Sequence, residues 1–336
     1  MLSKGDTRKR LEEVIISKAY KEATDVMGVL DAIYTFLLDL KTKVVIRAEY
    51  NATNAYYEGV HDFFKDVFDN YNKGDIFSAL SLLHDKLVDG STGQLKLNRD
   101  FIEKGTPLFR MRSQGEYKLL SRKEMFHIAT DKIKFAKNYR YSLNGFPCLY
   151  LGASLYVCWE EMRRADIDHV NYVKFVSTRT IPLISTLCPN RFKNEDDVIQ
   201  FFIFALCTKM ANNDNDKFQF QYAFPELLLH LLTNCMQNRE DAWGIKYVSA
   251  RYFENDGQFS SEPIFYNYVI PKRDPVDSDD HLSIELKKSF KVSDVKAFYV
   301  KRIFEQMPKK RLTRPNEYAN THFKLLEDEL KARKYL

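Results

Sequence analysis

Residues 140–164 read Arg-Tyr-Ser-Leu-Asn-Gly-Phe-Pro-Cys-Leu-Tyr-Leu-Gly-Ala-Ser-Leu-Tyr-Val-Cys-Trp-Glu-Glu-Met-Arg-Arg. Asn144-Gly145 and Pro147 mark a turn, residues 148–151 a short apolar and aromatic strand, and Ser154 a helix cap. A helix then runs over 154–164. Glu160 and Glu161 are consecutive on it and point about 100° apart. One faces solvent while the other faces inward beside Val157 and Trp159. A buried carboxylate needs a partner, so the inward glutamate is either paired with an arginine or functional.

The flanking chain continues this texture without making it regular. Strand-like runs, many rich in β-branched and aromatic residues, fall at 108–111, 172–176, 244–249, 264–270 and 295–300. Helical stretches fall at 195–211 and at 225–236, where Pro225 suits a first helical turn. The order is mixed, so the expected class is α+β and not a doubly wound sheet.

The first hundred residues read as all-helical. Val26, Leu30, Ile33, Leu37, Leu40 and Val44 recur at helical spacing behind a cap at Thr24 or Asp25. Residues 50–71 are aromatic-rich and helix-compatible. Asp75 can cap a further helix whose face is Ile76, Leu80, Leu83 and Leu87. Gly90-Ser91-Thr92-Gly93 reads as a linker. The expected organisation is a helical domain over 1–95, a larger α+β domain over 100–300 and a basic, partly helical tail over 301–336.

Composition narrows the partners. With 336 residues, 45% of them hydrophobic and 14% aromatic, the chain can bury a substantial core, which excludes wholesale disorder. The formal charge of +5 resides in residues 301–336, where ten Lys or Arg face five Asp or Glu. The preceding 300 residues hold 41 charges of each sign, and this neutral body weighs against a nucleic-acid partner. The five cysteines are scattered without a Cys-x-x-Cys pair, which fits free thiols in a reducing cytosol and neither a disulfide framework nor a zinc site. The start, MLSKGDTRKRLEEV, lacks the apolar core of a signal peptide, and no apolar run reaches the ~18 residues of a membrane span. A cytoplasmic protein without a membrane partner is expected.

Absent motifs exclude common chemistries. Neither the dinucleotide fingerprint nor the P-loop occurs, and HExxH, GxSxG and the kinase signatures are missing as well. Arg-x4-His, a spacing of some helical ribonucleases, occurs at Arg122–His127 and Arg164–His169, outside the helical region where it would belong. Two segments remain. In Pro107-Leu-Phe-Arg-Met-Arg112 the guanidiniums of Arg110 and Arg112 lie on one side of a strand. Such a pair can grip a diphosphate, although a solvated strand face is the plainer reading. In Gly244-Ile-Lys-Tyr-Val-Ser249, Ile245, Tyr247 and Ser249 share one face, and the serine closes an apolar strand.

Taken in order, these segments resemble the RES-domain family of NAD-degrading toxins, named for an Arg, a Glu and a Ser. The matching pieces are Leu108-Phe-Arg110, Arg140-Tyr-Ser-Leu-Asn-Gly-Phe-Pro-Cys-Leu-Tyr-Leu151, Glu161, Tyr222-Ala-Phe-Pro-Glu226 and Gly244-Ile-Lys-Tyr-Val-Ser249. They span residues 100–270, about half the chain, and order and spacing agree. Two departures stand out: Glu226 occupies a position where many relatives have Gln, and two glutamates share the helix. The family spacing from Leu149 selects Glu161.

The resemblance implies a fold similar to ADP-ribosyltransferases and cleavage of the nicotinamide–ribose bond of NAD+, with phosphate or water as acceptor and no metal. Glu161 would stabilise the positive charge building on the ribose, Arg110 would hold the pyrophosphate with help from Arg112 and Arg140, and Ser249 would hydrogen-bond the nicotinamide ribose or amide. Tyr141, Tyr150 and Tyr222 would orient the substrate. The N-terminal helices would dimerise, sense a trigger or bind an antitoxin. Two other outcomes stay open: an ADP-ribosyltransferase acting on a macromolecule, and a non-enzymatic nucleic-acid-binding protein using the basic residues 301–314 and 132–141.

Overall fold

A computed structural model describes residues 4–43, 54–115, 118–136, 139–190, 192–210, 219–235, 241–251, 263–298 and 315–332. Val44, residues 50–53, 137–138, Ala211, Met236, residues 299–314 and residues 333–336, all part of the expectations above, lie outside these, as does the side chain of Cys235.

The chain forms two compact units. The first comprises residues 1–99, 138–141 and 184–241. Its helices are α1 (Lys4–Glu12), α2 (Lys18–Glu22), α3 (Val26–Lys43), α4 (Asn54–Asn72) and α5 (Ile76–Leu87). The segment 184–241, read from sequence as part of the α+β region, adds two more helices here. These are α7 (Glu195–Thr208) and α8 (Phe220–His230); α6 (Leu155–Glu161) belongs to the second unit. The reason is burial. Every residue of α7 from Asp197 to Thr208 is buried, and a helix apolar on all sides needs cover all round. The N-terminal helices supply it: Phe64 stacks on Phe202 at 5.5 Å and meets Phe224 edge-on at 5.5 Å, and Phe36 stacks on Phe201 at 6.3 Å.

Local signals in this unit mostly held. Asp25, not Thr24, caps α3, its Oδ1 accepting from Gly28 N–H at 2.8 Å. Asp75 caps α5 as expected. The buried face of α5 is Ala79, Leu83 and Leu87; of the other two residues expected on it, Leu80 is half-buried and Ile76 is 42% exposed. The Gly90–Gly93 segment is a tight turn. The Asp89 carboxylate accepts from Ser91 and Thr92 N–H, Gly93 takes a left-handed φ of 66°, and Val88 bridges to Leu95. Helix α8 starts at Phe220, so Pro225 lies inside it and not at its first turn.

The second unit comprises residues 100–137, 142–183 and 242–336 and is built on a sheet. Its strands are β1 (Arg99–Ile102), β2 (Pro107–Ser113), β3 (Cys148–Gly152), β4 (Val170–Ser177), β5 (Ile181–Ser185), β6 (Gly244–Val248), β7 (Tyr266–Pro271), β8 (Phe290–Val292) and β9 (Lys296–Ala297). The order is β1-β5-β6-β7-β3-β2-β4-β8, with β9 also on β4. The pairings of β2 with β3 and β4, β3 and β6 with β7, and β4 with β8 and β9 are antiparallel. The protein is therefore α+β, a mostly antiparallel sheet with flanking helices preceded by a helical region. Strands β1, β5 and β8 were not read from sequence: they are short, and Pro182 inside β5 argues against a strand locally.

The helices of this unit are α6 (Leu155–Glu161), α9 (Ile284–Ser289), α10 (Pro315–Ala319) and α11 (His322–Ala332). Helix α6 lies directly on the sheet. A Cβ at Gly152 would come within 2.6 Å of Cys158 Sγ and 2.7 Å of Val157 Cγ1, so only glycine permits this approach. The tail helix α11 buries Phe323, Leu326, Glu327 and Leu330 along one face. No described helix is long and apolar enough to cross a membrane.

Candidate active site

The candidate site begins at the ends of α6. Ser154 caps the helix as its sequence promised, its Oγ accepting from Val157 N–H at 3.0 Å and donating to Ile264 O at 2.7 Å. The helix ends at Glu161, after which Arg163 and Arg164 take left-handed φ values of 57° and 55°. Two consecutive non-glycine residues in that region are costly, and they turn the chain back beneath the helix. This return brings the Arg164 guanidinium onto Glu160, Nη2 to Oε1 at 2.8 Å.

The adjacent glutamates thus divide. Glu160 is the inward one, only 5% exposed, and it accepts from Arg164 and from the buried Tyr156 hydroxyl. It is the structural carboxylate of the pair, and the i,i+4 spacing to Arg164 was the signal for it. Glu161 is exposed, and its Oε1 accepts from the Asn267 amide at 2.8 Å. Asn267 was missed in the sequence reading. Its signal is a lone amide within the apolar run 264–270.

Register sets what surrounds this carboxylate. Asn267 pairs with Gly152 on one side and with Tyr247 on the other. Paired residues project to the same face, so Tyr150, Gly152, Asn267, Tyr247 and Ser249 share the face on which α6 lies. Ser249 extends the pairing, its N–H donating to Phe265 O at 2.9 Å. It is a diagonal neighbour of Asn267, about 7–8 Å away along the sheet. Its Oγ is fully buried and has no hydrogen-bond partner among the described residues. Buried hydroxyls are usually satisfied, which sets this one apart among the described residues. Ser249→Ala should accordingly leave thermal stability unchanged or raise it, by up to about 1 kcal/mol, because no bond is lost. A melting curve shifted clearly downward would show the hydroxyl to be structural.

Arg110 stands apart from that face. It alternates with Phe109, whose register partner is Gly152, and its Nη1 donates to Tyr150 O at 2.9 Å across the β2–β3 seam. The two charges nevertheless flank one group. The Cys158 thiol, 3.3 Å from Phe109 O, is pushed up to about 12 by burial first and by Glu327; Arg110 opposes this and Glu161 adds to it. Arg112 does not join Arg110 in a paired grip, because its guanidinium is bound to the Glu124 carbonyl. Tyr150 is half-buried, with its hydroxyl 3.2 Å from Ser142 Oγ.

The remaining expected residues belong to the first unit. Arg140 Nη1 donates to Cys207 O at 3.0 Å and Lys209 O at 2.8 Å, capping the carbonyl end of α7, and its guanidinium lies 5.4 Å from the Tyr222 ring centre. Tyr141 is wholly buried beside Thr186, so its ring is a core element there and offers no face to a ligand. Glu226, one turn beyond Tyr222, has its carboxyl pushed up to about 7 by burial. Cys148, Cys158, Cys188 and Cys207 are free thiols, and no cluster of three or more His, Cys, Asp or Glu able to hold a metal occurs among the described residues.

Fold and site together define an α+β protein with an exposed carboxylate oriented by Asn267, and a buried hydroxyl at Ser249 that has no hydrogen-bond partner among the described residues. Over 219 residues the chain is 29% identical to "Putative toxin YopC" of Bacillus subtilis (strain 168). The match covers 60% of this chain and 48% of that protein, so the chain spans about half the length of the curated relative it matches. No family model matches, and no solved structure matches.

Proposed function

We propose that this chain is an NAD+-consuming toxin that cleaves the nicotinamide–ribose bond, as a glycohydrolase or a phosphorylase. The observation that carries the reading is the division of the two glutamates. Glu160 is consumed by Arg164 and Tyr156, whereas Glu161, the one selected by the RES-like spacing, is exposed and oriented by Asn267. The resemblance to a protein named as a toxin supports the biological half of the proposal.

The chemistry follows from charge. The C–N bond between ribose and nicotinamide breaks with its electron pair going to the ring nitrogen, so nicotinamide leaves neutral. Positive charge develops on the sugar, and a fixed carboxylate beside it lowers the barrier. Glu161 fills that role, held in one orientation by the Asn267 amide. The resemblance gives the Ser249 hydroxyl, buried and without a hydrogen-bond partner among the described residues, a hydrogen bond to the ribose or the carboxamide. An oxygen of phosphate or water then bonds to the sugar carbon, and water gives up a proton. The resemblance assigns Arg110 to the pyrophosphate, but its guanidinium is held by the Tyr150 carbonyl on the other face of the sheet, so this reading gives it no direct contact. Depletion of NAD+ would arrest growth, which suits a toxin restrained by an antitoxin or released by a trigger such as phage infection.

The test is incubation of the full chain with NAD+ labelled in its adenine half. Nicotinamide should appear while the label remains in small molecules. Label retained on protein or nucleic acid would overturn this reading in favour of a macromolecular ADP-ribosyltransferase.

A further inference from the structure

We propose that Glu327 is a positioning residue for Glu161, through a latch in which the C-terminal helix α11 holds the start of α6. The proposal rests on the reading of Glu161 given above. Helix α11 lies beyond the segments that carry the RES-like resemblance, yet Phe323 and Glu327 of its buried face are directed to α6. The Glu327 carboxylate accepts from the Leu155 N–H at 2.6 Å, the first amide of α6, and also from the Tyr318 hydroxyl of α10. The opening turn of a helix leaves amides without intrahelical partners; Ser154 satisfies Val157, and Glu327 satisfies Leu155. An aromatic cluster adds area: Phe323 lies 5.9 Å from Tyr156 and 5.4 Å from Trp159, and Tyr318 lies 6.3 Å from Tyr156. The far end of α11 is fixed to the sheet, where the buried Lys174 ammonium donates to Leu330 O.

Helix α6 has only seven residues, too few to be stable unaided. Its orientation is therefore set by what holds it, and Glu161 is its last residue. A tilt at Leu155 carries the Glu161 carboxylate off the Asn267 amide. Among the groups around Glu327 are Tyr318, Cys158 and the Leu155 N–H, with Lys324 and Lys331 on its own helix. Burial pushes its carboxyl up to about 7. A raised carboxyl favours the folded, docked state at low pH, so the latch loosens as pH rises through about 7. A glutamine at 327 accepts the same bonds without titrating.

The experiment compares the full-length wild type with Glu327→Gln and Glu327→Ala by hydrogen–deuterium exchange over residues 155–161 and by nicotinamide release. Glu327→Ala should speed exchange in α6 about tenfold and lower kcat about tenfold, with KM for NAD+ within about twofold, the scale of one buried hydrogen-bond acceptor lost. Exchange across β2 and β4 should stay slow. Glu327→Gln should restore both readouts to within about threefold and abolish the loosening between pH 6 and 8, as expected for an uncharged acceptor. Wild-type exchange and kcat in Glu327→Ala would overturn the latch, as would faster α6 exchange without a change in kcat. Equal damage in both variants would overturn it too. A wild type that releases no nicotinamide overturns the activity reading instead, and α6 exchange then decides the latch alone.

Discussion

Glu161→Gln should lower nicotinamide release by about 10²–10³-fold while leaving the protein as stable as wild type, the effect expected when a preorganised charge facing the transition state is lost. The substitution keeps the shape of the side chain, and a glutamine oxygen can still accept from Asn267, so the orientation at 2.8 Å is retained. What disappears is the full negative charge beside the sugar. Because Glu161 is exposed, the unfolding free energy should move by no more than about 0.5 kcal/mol. The loss should appear in kcat more than in KM, since the charge interacts with a transition state that is more cationic at the sugar than the ground state. Full activity in this variant would remove Glu161 from the chemistry.

Glu160→Ala, one residue away, should do the reverse and destabilise the fold by about 2–3 kcal/mol. Its carboxylate is buried and holds Arg164 at 2.8 Å together with the Tyr156 hydroxyl. Removing one member of a buried ion pair costs about 3–5 kcal/mol, and the 27% exposure of the Arg164 side chain reduces that figure through solvent screening. The left-handed turn at Arg163 and Arg164 keeps its backbone bonds to Glu160 O and Trp159 O but loses its side-chain support, so a drop in activity should follow the drop in stability. Denaturant unfolding would check this. A variant as stable as wild type would contradict the structural role given to Glu160.

Local chemistry decided what could be read from the chain alone. The turn, strand, Ser154 cap and helix of residues 140–164 involve neighbours in sequence, and each appears where its residues place it, except that the helix stops at Glu161 and not at Arg164. The 100° separation of the two glutamates was equally legible. Which of them turned inward was not, because that depends on a reversal at Arg163 and Arg164 that no propensity announces. Helix α7 shows the converse. Its uniform apolarity announced burial but carried no direction, so nothing in residues 195–208 indicated that they would join the N-terminal helices. Asn267 and Glu327 escaped notice for a related reason. Each is one polar residue in an apolar stripe, and its meaning lies in a partner far away in sequence: 106 residues for Asn267 with Glu161 and 172 for Glu327 with Leu155. Arg112 and Arg140 read as free cations, and both are occupied by backbone carbonyls.

The measurement closest to the central claim is product analysis after the purified full-length chain is incubated with NAD+ in the presence of phosphate. The account predicts release of nicotinamide together with ADP-ribose or its phosphorylated form, and near-complete loss of both products in Glu161→Gln. Intact NAD+ after prolonged incubation with folded wild-type protein would contradict it.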